Sequence, residues 1–156
     1  MKFAIEPYVG IEGIKFGMTR DAVRNALASV KFSTFMKGPY STFPTDAFSE
    51  IGLHVYYKAP GICSALEFVL SAEPTLLGRQ LMGVPFSELR SWLLALDPSA
   101  ELIGTGLISR KFGISPYVMD AFRHPEDPVE SVYAFEEGHY ESKALEISRI
   151  KTGAGS

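Results

Sequence analysis

The sequence predicts an α+β protein: two similar helix-plus-β-hairpin repeats whose antiparallel strands form a sheet covered by helices on one face. Three observations carry that expectation. A turn, a short apolar run and a helix start occur together at 13–24 and again, more loosely, at 78–90. A strand–turn–strand pattern follows each of them, at 53–70 and 113–136. The order is the same both times, at a spacing of about 61 to 66 residues, too long for common solenoid units. The repeats cover about 11–70 and 76–136 of one compact domain, 1–150, and the Gly/Ser-containing 151–156 reads as a flexible tail.

In chain order, 3–9 reads as a short edge strand interrupted by Pro7. The first helix is expected over 20–29. Gly17 can take the positive φ that a tight approach to a helix needs, Thr19 is a good N-cap, and Asp21 suits the positive end of the helix dipole. Ala22, Val23, Ala26, Leu27 and Val30 then recur at helical spacing as a buried stripe. The next stretch, 32–50, is rich in aromatics and breakers (Phe35, Gly38-Pro39, Tyr40, Phe43-Pro44, Phe48) and reads as turns or irregular edge strands. It is long for a simple connection, and both an interface and a cover for the core fit it. Residues 53–57 form a strand by composition. Lys58-Ala59-Pro60-Gly61 is a turn, and 63–70 returns with Leu66, Phe68 and Leu70 on one face. Residues 71–75 link the halves, with Pro74 as the break.

The second helix starts differently. Pro85 suits the first helical position, Glu88 lies in the first turn, Leu89, Trp92, Leu93 and Leu96 make the stripe, and Asp97-Pro98 stops it. Residues 99–111 read as a Gly-containing connection with one strand around 101–103. Residues 113–119 match 52–58 in their Gly-apolar start, and Pro116 there signals an edge or a bulge. A polar turn at 120–128 leads to a strand over 129–136, where Val132 and Ala134 alternate with Tyr133 and Phe135. Glu137-Gly138 turns the chain, and 139–150 reads as a last strand or short helix. Val23, Leu27, Leu66, Phe68, Leu89, Leu93 and Val132 are the expected core. The sheet's other face, studded with Tyr and His, is expected to meet solvent.

Of the 156 residues 46% are apolar and 21% charged, enough to bury a core. The net charge of −3 argues against a dedicated nucleic-acid binder and permits a basic partner. Cys63 is the only cysteine, which excludes an internal disulfide and a four-cysteine zinc site. The first residues carry no secretory pattern, and no apolar run reaches the roughly 18 residues of a membrane span. A cytoplasmic protein that does not engage membrane is the expectation.

The order apolar–Gly17-Met18-Thr19–x–x–x–Val23, then Gly52-Leu53 leading to Tyr56-Tyr57, then Leu66-Glu67-Phe68, resembles the repeat of β-lactamase-inhibitor-protein-like domains and their outer-membrane lipoprotein relatives. It covers 14–68 well and 78–135 loosely. The resemblance implies tandem helix-plus-sheet modules that bind proteins on a concave sheet face. The chain departs from it in lacking the lipoprotein signal and cysteine and a disulfide within either half. In size, acidity and non-catalytic look it is also similar to cytoplasmic immunity proteins of bacterial toxin systems.

No reaction-specific motif is present. The three histidines, His54, His124 and His139, lack HxH or HExxH spacing, there is no Gly-x-Ser-x-Gly elbow, and Gly10, Gly13 and Gly17 lack dinucleotide-fingerprint spacing. No metal, cofactor or catalytic residue is expected. The expected function is a non-catalytic protein-binding module, of immunity or inhibitor type, that occludes the basic active-site cleft of a toxin or enzyme. Tyr40, Phe43, Tyr56, Tyr57 and Tyr117 are its candidate anchors, because aromatic side chains dominate interface energetics. Asp46 and the C-terminal acids, Glu136 and Glu137 above all, are candidates for steering a basic partner. Two alternatives stand beside it: a small-molecule or lipid-binding protein with a pocket between helices and sheet, and an enzyme using Glu67 and His54 as acid–base groups.

Overall fold

The computed structural model describes residues 1–39, 41, 43–104 and 106–140. The chain opens with β1 (Lys2–Ala4), the small hairpin β2 (Gly10–Ile11) and β3 (Ile14–Lys15), and helix α1 (Arg20–Ala26). Four strands follow: β4 (Ser33–Phe35), β5 (Thr45–Phe48), β6 (Leu53–Lys58) and β7 (Ile62–Phe68), with a 3-10 turn at Ser49–Ile51. Then come β8 (Glu73–Leu76), β9 (Arg79–Gln80) and α2 (Phe86–Leu96). The last strands are β10 (Glu101–Ile103), β11 (Gly106–Ile108), β12 (Ile114–Tyr117) and β13 (Ser131–Phe135).

The main sheet has eight strands, all antiparallel, in the order β10-β11-β12-β13-β7-β6-β5-β4. Two four-strand meanders therefore meet edge to edge where β7 pairs with β13. This overturns the expected architecture. The protein is mostly β, 39% strand and 17% helix, and the unit after each helix is not a hairpin. The strand expected around 101–103 is present as β10, but β4, β5 and β11 are only three or four residues long and are bounded by prolines and glycines. Strands that short show no alternation against the breakers around them.

α1 starts as the sequence predicts, and α2 starts one residue later than expected, with Pro85 as its N-cap and not its first helical residue. The Ala22 N–H donates to Thr19 Oγ1 at 3.1 Å, and Pro85 sits at φ −55°, one position before α2 begins. α1 ends at Ala26, earlier than expected, as the chain tightens into turns through Val30. Val23 of α1 and Phe86, Leu89 and Leu93 of α2 pack into one core with Leu53, Val55, Leu66, Phe68, Ile114 and Val132 of the sheet. Leu27 is only partly buried against that core. Leu70 lies beyond the end of β7 and is 85% exposed, not on the strand's buried face.

Two prolines sit inside sheets, Pro74 where a break was expected and Pro116 where an edge or bulge was, and hydrogen-bond direction explains both. In β8 the Glu73 N–H donates to Met1 O, and Thr75 O accepts from Ile5. Pro74, facing the other way, contributes only its carbonyl, to the Leu81 N–H at 3.0 Å. In β12 the Ile114 N–H donates to Ser109 O of the neighbouring strand's end. Pro116 lies two residues on along that same edge and has no N–H to give, so the β11–β12 ladder is sparse there.

Two buried carboxylates tie helices to strands. Asp46 of β5 accepts from Arg24 Nε (2.9 Å) and Nη2 (2.8 Å) of α1 and from Tyr57 Oη (2.8 Å). Asp97, just past α2, accepts from Ser99 and from Ser109 Oγ (2.7 Å). Burial opposes its charge, yet these hydrogen bonds hold the Asp97 carboxyl below its ordinary value.

Candidate functional site

Alternation along each strand divides the main sheet into two faces. One is the core face just described. On the other, the register sets Ser115, Tyr133, Glu67, His54 and Ala47 opposite one another across five consecutive strands. A second row runs beside it through Phe135, Ala65 and Tyr56. Small Ala65 between two large rings leaves room for them to lie over the strand.

Glu67 is the centre of this face. It is 8% exposed. Its Oε1 accepts from Tyr56 Oη at 2.6 Å and contacts His54 Nδ1 at 3.2 Å. Lys37, just past the end of β4, reaches over to place Nζ 3.5 Å from the same oxygen. That ammonium also donates to Tyr56 Oη at 2.9 Å and to Tyr133 Oη. It lies 5.1 Å and 4.8 Å from the Tyr56 and Tyr133 ring centroids, at the hydroxyl edge of each ring and not over its face. The two tyrosine rings are 5.7 Å apart. Phe35 meets His54 edge-on at 5.3 Å.

The charges follow from this geometry. Burial works against the Glu67 carboxylate, but the hydrogen bonds from His54 and Tyr56 and the Lys37 ammonium outweigh it and hold the carboxyl down at about 2. Burial likewise works against the Lys37 charge, and its tyrosine and carboxylate partners reverse the balance, raising its affinity for the proton. Burial raises both Tyr56 and Tyr133, so both phenols stay protonated as donors. Glu67 and His54, the pair expected to serve any acid–base chemistry, do come together. A carboxyl at about 2 is ionised throughout the neutral range, where it accepts hydrogen bonds and has no proton to give.

Aromatic surface continues toward one end of the sheet. Tyr8 and Tyr140 meet Phe135 edge-on at 6.1 and 5.0 Å, and His139 stacks on it at 5.7 Å. With Arg110 and Glu137 they line a hollow of about 360 Å³. A separate, mainly apolar cleft of about 450 Å³ lies on the other side of the molecule's middle, between Leu70, Met82, Pro128 and Val129.

The expected anchors divide between the faces. Tyr56 belongs to the second face, which was expected to meet solvent but buries a small core of its own, Tyr56 with Ala65, Ile108 and Phe135. Tyr117 ends β12 two residues beyond Ser115, half-buried on the same side. Tyr57 is on the core face, its hydroxyl spent on Asp46. Asp46 is 0% exposed and paired with Arg24, so it presents no charge to a partner. Phe43 is half-buried against the main core. Glu136 pairs with Lys58 at 2.5 Å, and Glu137 is exposed in the turn beside the hollow. Tyr40 lies outside the described residues, as do 141–156. Lys37, Phe35 and Tyr133 are the site residues that the list of anchors missed. The alternation of Tyr133 with Val132 and Ala134 was the readable signal for one of them.

Among the described residues no three His, Cys, Asp or Glu side chains gather in a metal-binding group. Among the same residues no helix is long and apolar enough to cross a membrane. Comparison with known proteins finds no matching family model, no matching curated protein and no matching solved structure.

Proposed function

We propose that this chain is a cytoplasmic, non-catalytic protein-binding module of inhibitor or immunity type, and that it docks its partner on the face of the eight-stranded sheet opposite the main core, about Phe35 and Tyr133. The observation that carries the reading is the aromatic cluster on that face: exposed Phe35 at its edge and half-buried Tyr133 and Tyr8 above buried Tyr56 and Phe135, braced by the Glu67–Lys37–His54 network. Rigid aromatic side chains bury much area at little entropic cost, the property of interface anchors. The chain's net charge of −3 favours a basic partner.

The test is affinity capture from native lysate with wild type and Phe35→Ala, followed by binding kinetics on whatever is retained. Phe35 is 37% exposed, so its truncation leaves the core intact. A protein held by wild type and lost by the variant supports the reading. A protein held equally by both sinks it. The cleft between Leu70, Met82, Pro128 and Val129 supports a second reading, a small apolar ligand held there. Native mass spectrometry that finds a small molecule on the purified protein, removed by Met82→Glu, would favour that reading over the first.

A further inference from the structure

The contacts around Glu67 are one-sided. Tyr56, His54 and Lys37 all address Oε1, and among the described residues no hydrogen bond reaches Oε2. The carboxylate lies beside two tyrosine hydroxyls whose oxygens both accept from the same ammonium. That cation is brought from outside the sheet. Lys37 stands two residues past Phe35, the end of β4, is followed by Gly38-Pro39, and keeps 41% of its side chain exposed. The receptor is therefore built into rigid central strands, whereas its occupant is tethered to an edge. We propose that Tyr56, Tyr133 and Glu67 form a cation-receiving cage, that Lys37 is its resident occupant, and that a partner protein binds by inserting a basic side chain in place of Lys37.

Exchange chemistry decides the class of the incoming group. A neutral group entering the cage would strand the Glu67 charge in a largely buried site without a counter-ion. A lysine or arginine side chain restores the ion pair and the hydrogen bonds to the two tyrosine oxygens as Lys37 departs, and Lys37 regains its hydration at the exposed edge. Arginine can in addition bring a second N–H to Oε2. The inference rests on the docking reading for the source of the cation, a protein, but the cage itself is tested without any protein partner.

The experiment is a titration of labelled protein with propylguanidinium chloride against a sodium chloride control, followed by NMR of the Tyr56 and Tyr133 ring signals. Wild type, Lys37→Ala and Lys37→Ala/Glu67→Gln are compared, with Lys37→Met in place of Lys37→Ala should the alanine variant lose its folded spectrum. Removal of Lys37 is expected to tighten propylguanidinium binding about fivefold or more, the scale of a charge-assisted hydrogen bond with an ion pair, and Glu67→Gln is expected to abolish the gain. Equal shifts in wild type and the Lys37 variant, or a gain that survives Glu67→Gln, overturn the cage. Failure of this titration leaves the docking face standing. A cage that takes the cation on a face that captures no protein overturns the protein as its source.

Discussion

Acid should unfold this protein partly through one residue. The Glu67 carboxyl moves from its ordinary 4.5 to about 2 on folding. Because the folded state binds the proton more weakly than the unfolded chain, the stabilisation is complete above about pH 4.5. It is lost progressively as pH falls toward 2 and is absent below both values. At about 1.4 kcal/mol per pH unit the full contribution is on the order of 3 kcal/mol. Part of it comes through half-exposed Lys37 and is open to screening by salt, but the hydrogen bonds from His54 and Tyr56 rank ahead of that charge. The assay is urea unfolding followed by the single tryptophan, Trp92, of wild type and Glu67→Gln between pH 7 and pH 2. Glutamine keeps an acceptor for Tyr56 and removes the titration. Glu67→Gln is therefore expected to be less stable by about 2–3 kcal/mol at pH 7, with the two stabilities converging below pH 3. A difference that stays constant to within about 0.5 kcal/mol from pH 5 to pH 2 would refute the electrostatic account.

Asp46→Ala should cost about 3 kcal/mol in the same assay, near the low end for breaking a buried pair because Arg24 can turn partly to water. Its effect on partner association should appear only through stability. Gly52→Ala should cost about 2 kcal/mol or more, since the residue sits at φ +68° and a Cβ there would lie 2.6 Å from the Ala72 nitrogen. Leu27→Ala, at an incompletely buried site, should fall at or below the low end of the roughly 2–5 kcal/mol typical of full burial. Burial, followed by the nearby Glu136 charge, pushes the Cys63 thiol up to about 12, so native protein at pH 8 should resist thiol reagents and react only on unfolding. Rapid native labelling would show that the β7 strand start is open.

Local signals were readable in the sequence; partners across strands were not. Thr19 and Pro85 announced the helices because capping is a property of a few neighbouring residues. Val23, Leu66, Phe68, Leu89, Leu93 and Val132 were legible as core from their periodicity and are all fully buried. Tyr56 and Tyr57 show the limit. As neighbours on one strand they must point to opposite faces, so at most one could anchor a partner. Composition alone proposed both. Asp46 sat among aromatics and breakers and read as a surface acid, because nothing local reveals that Arg24 of α1 lies above it. Glu67 and Tyr133 meet only through the pairing of β7 with β13, a register set by the whole sheet.

That seam has a consequence for how the protein comes into being. Phe68 pairs with Val132, 64 residues further along the chain, so the middle of the sheet closes only after residues 131–135 have left the ribosome. Until then β7 offers a bare, apolar edge, the kind of template that recruits foreign strands. Non-local pairing of this sort also slows refolding from denaturant. Chaperone demand and aggregation during expression should therefore concentrate on nascent chains that end before residue 131, and a fragment carrying 76–140 supplied in trans should rescue a fragment ending near 75.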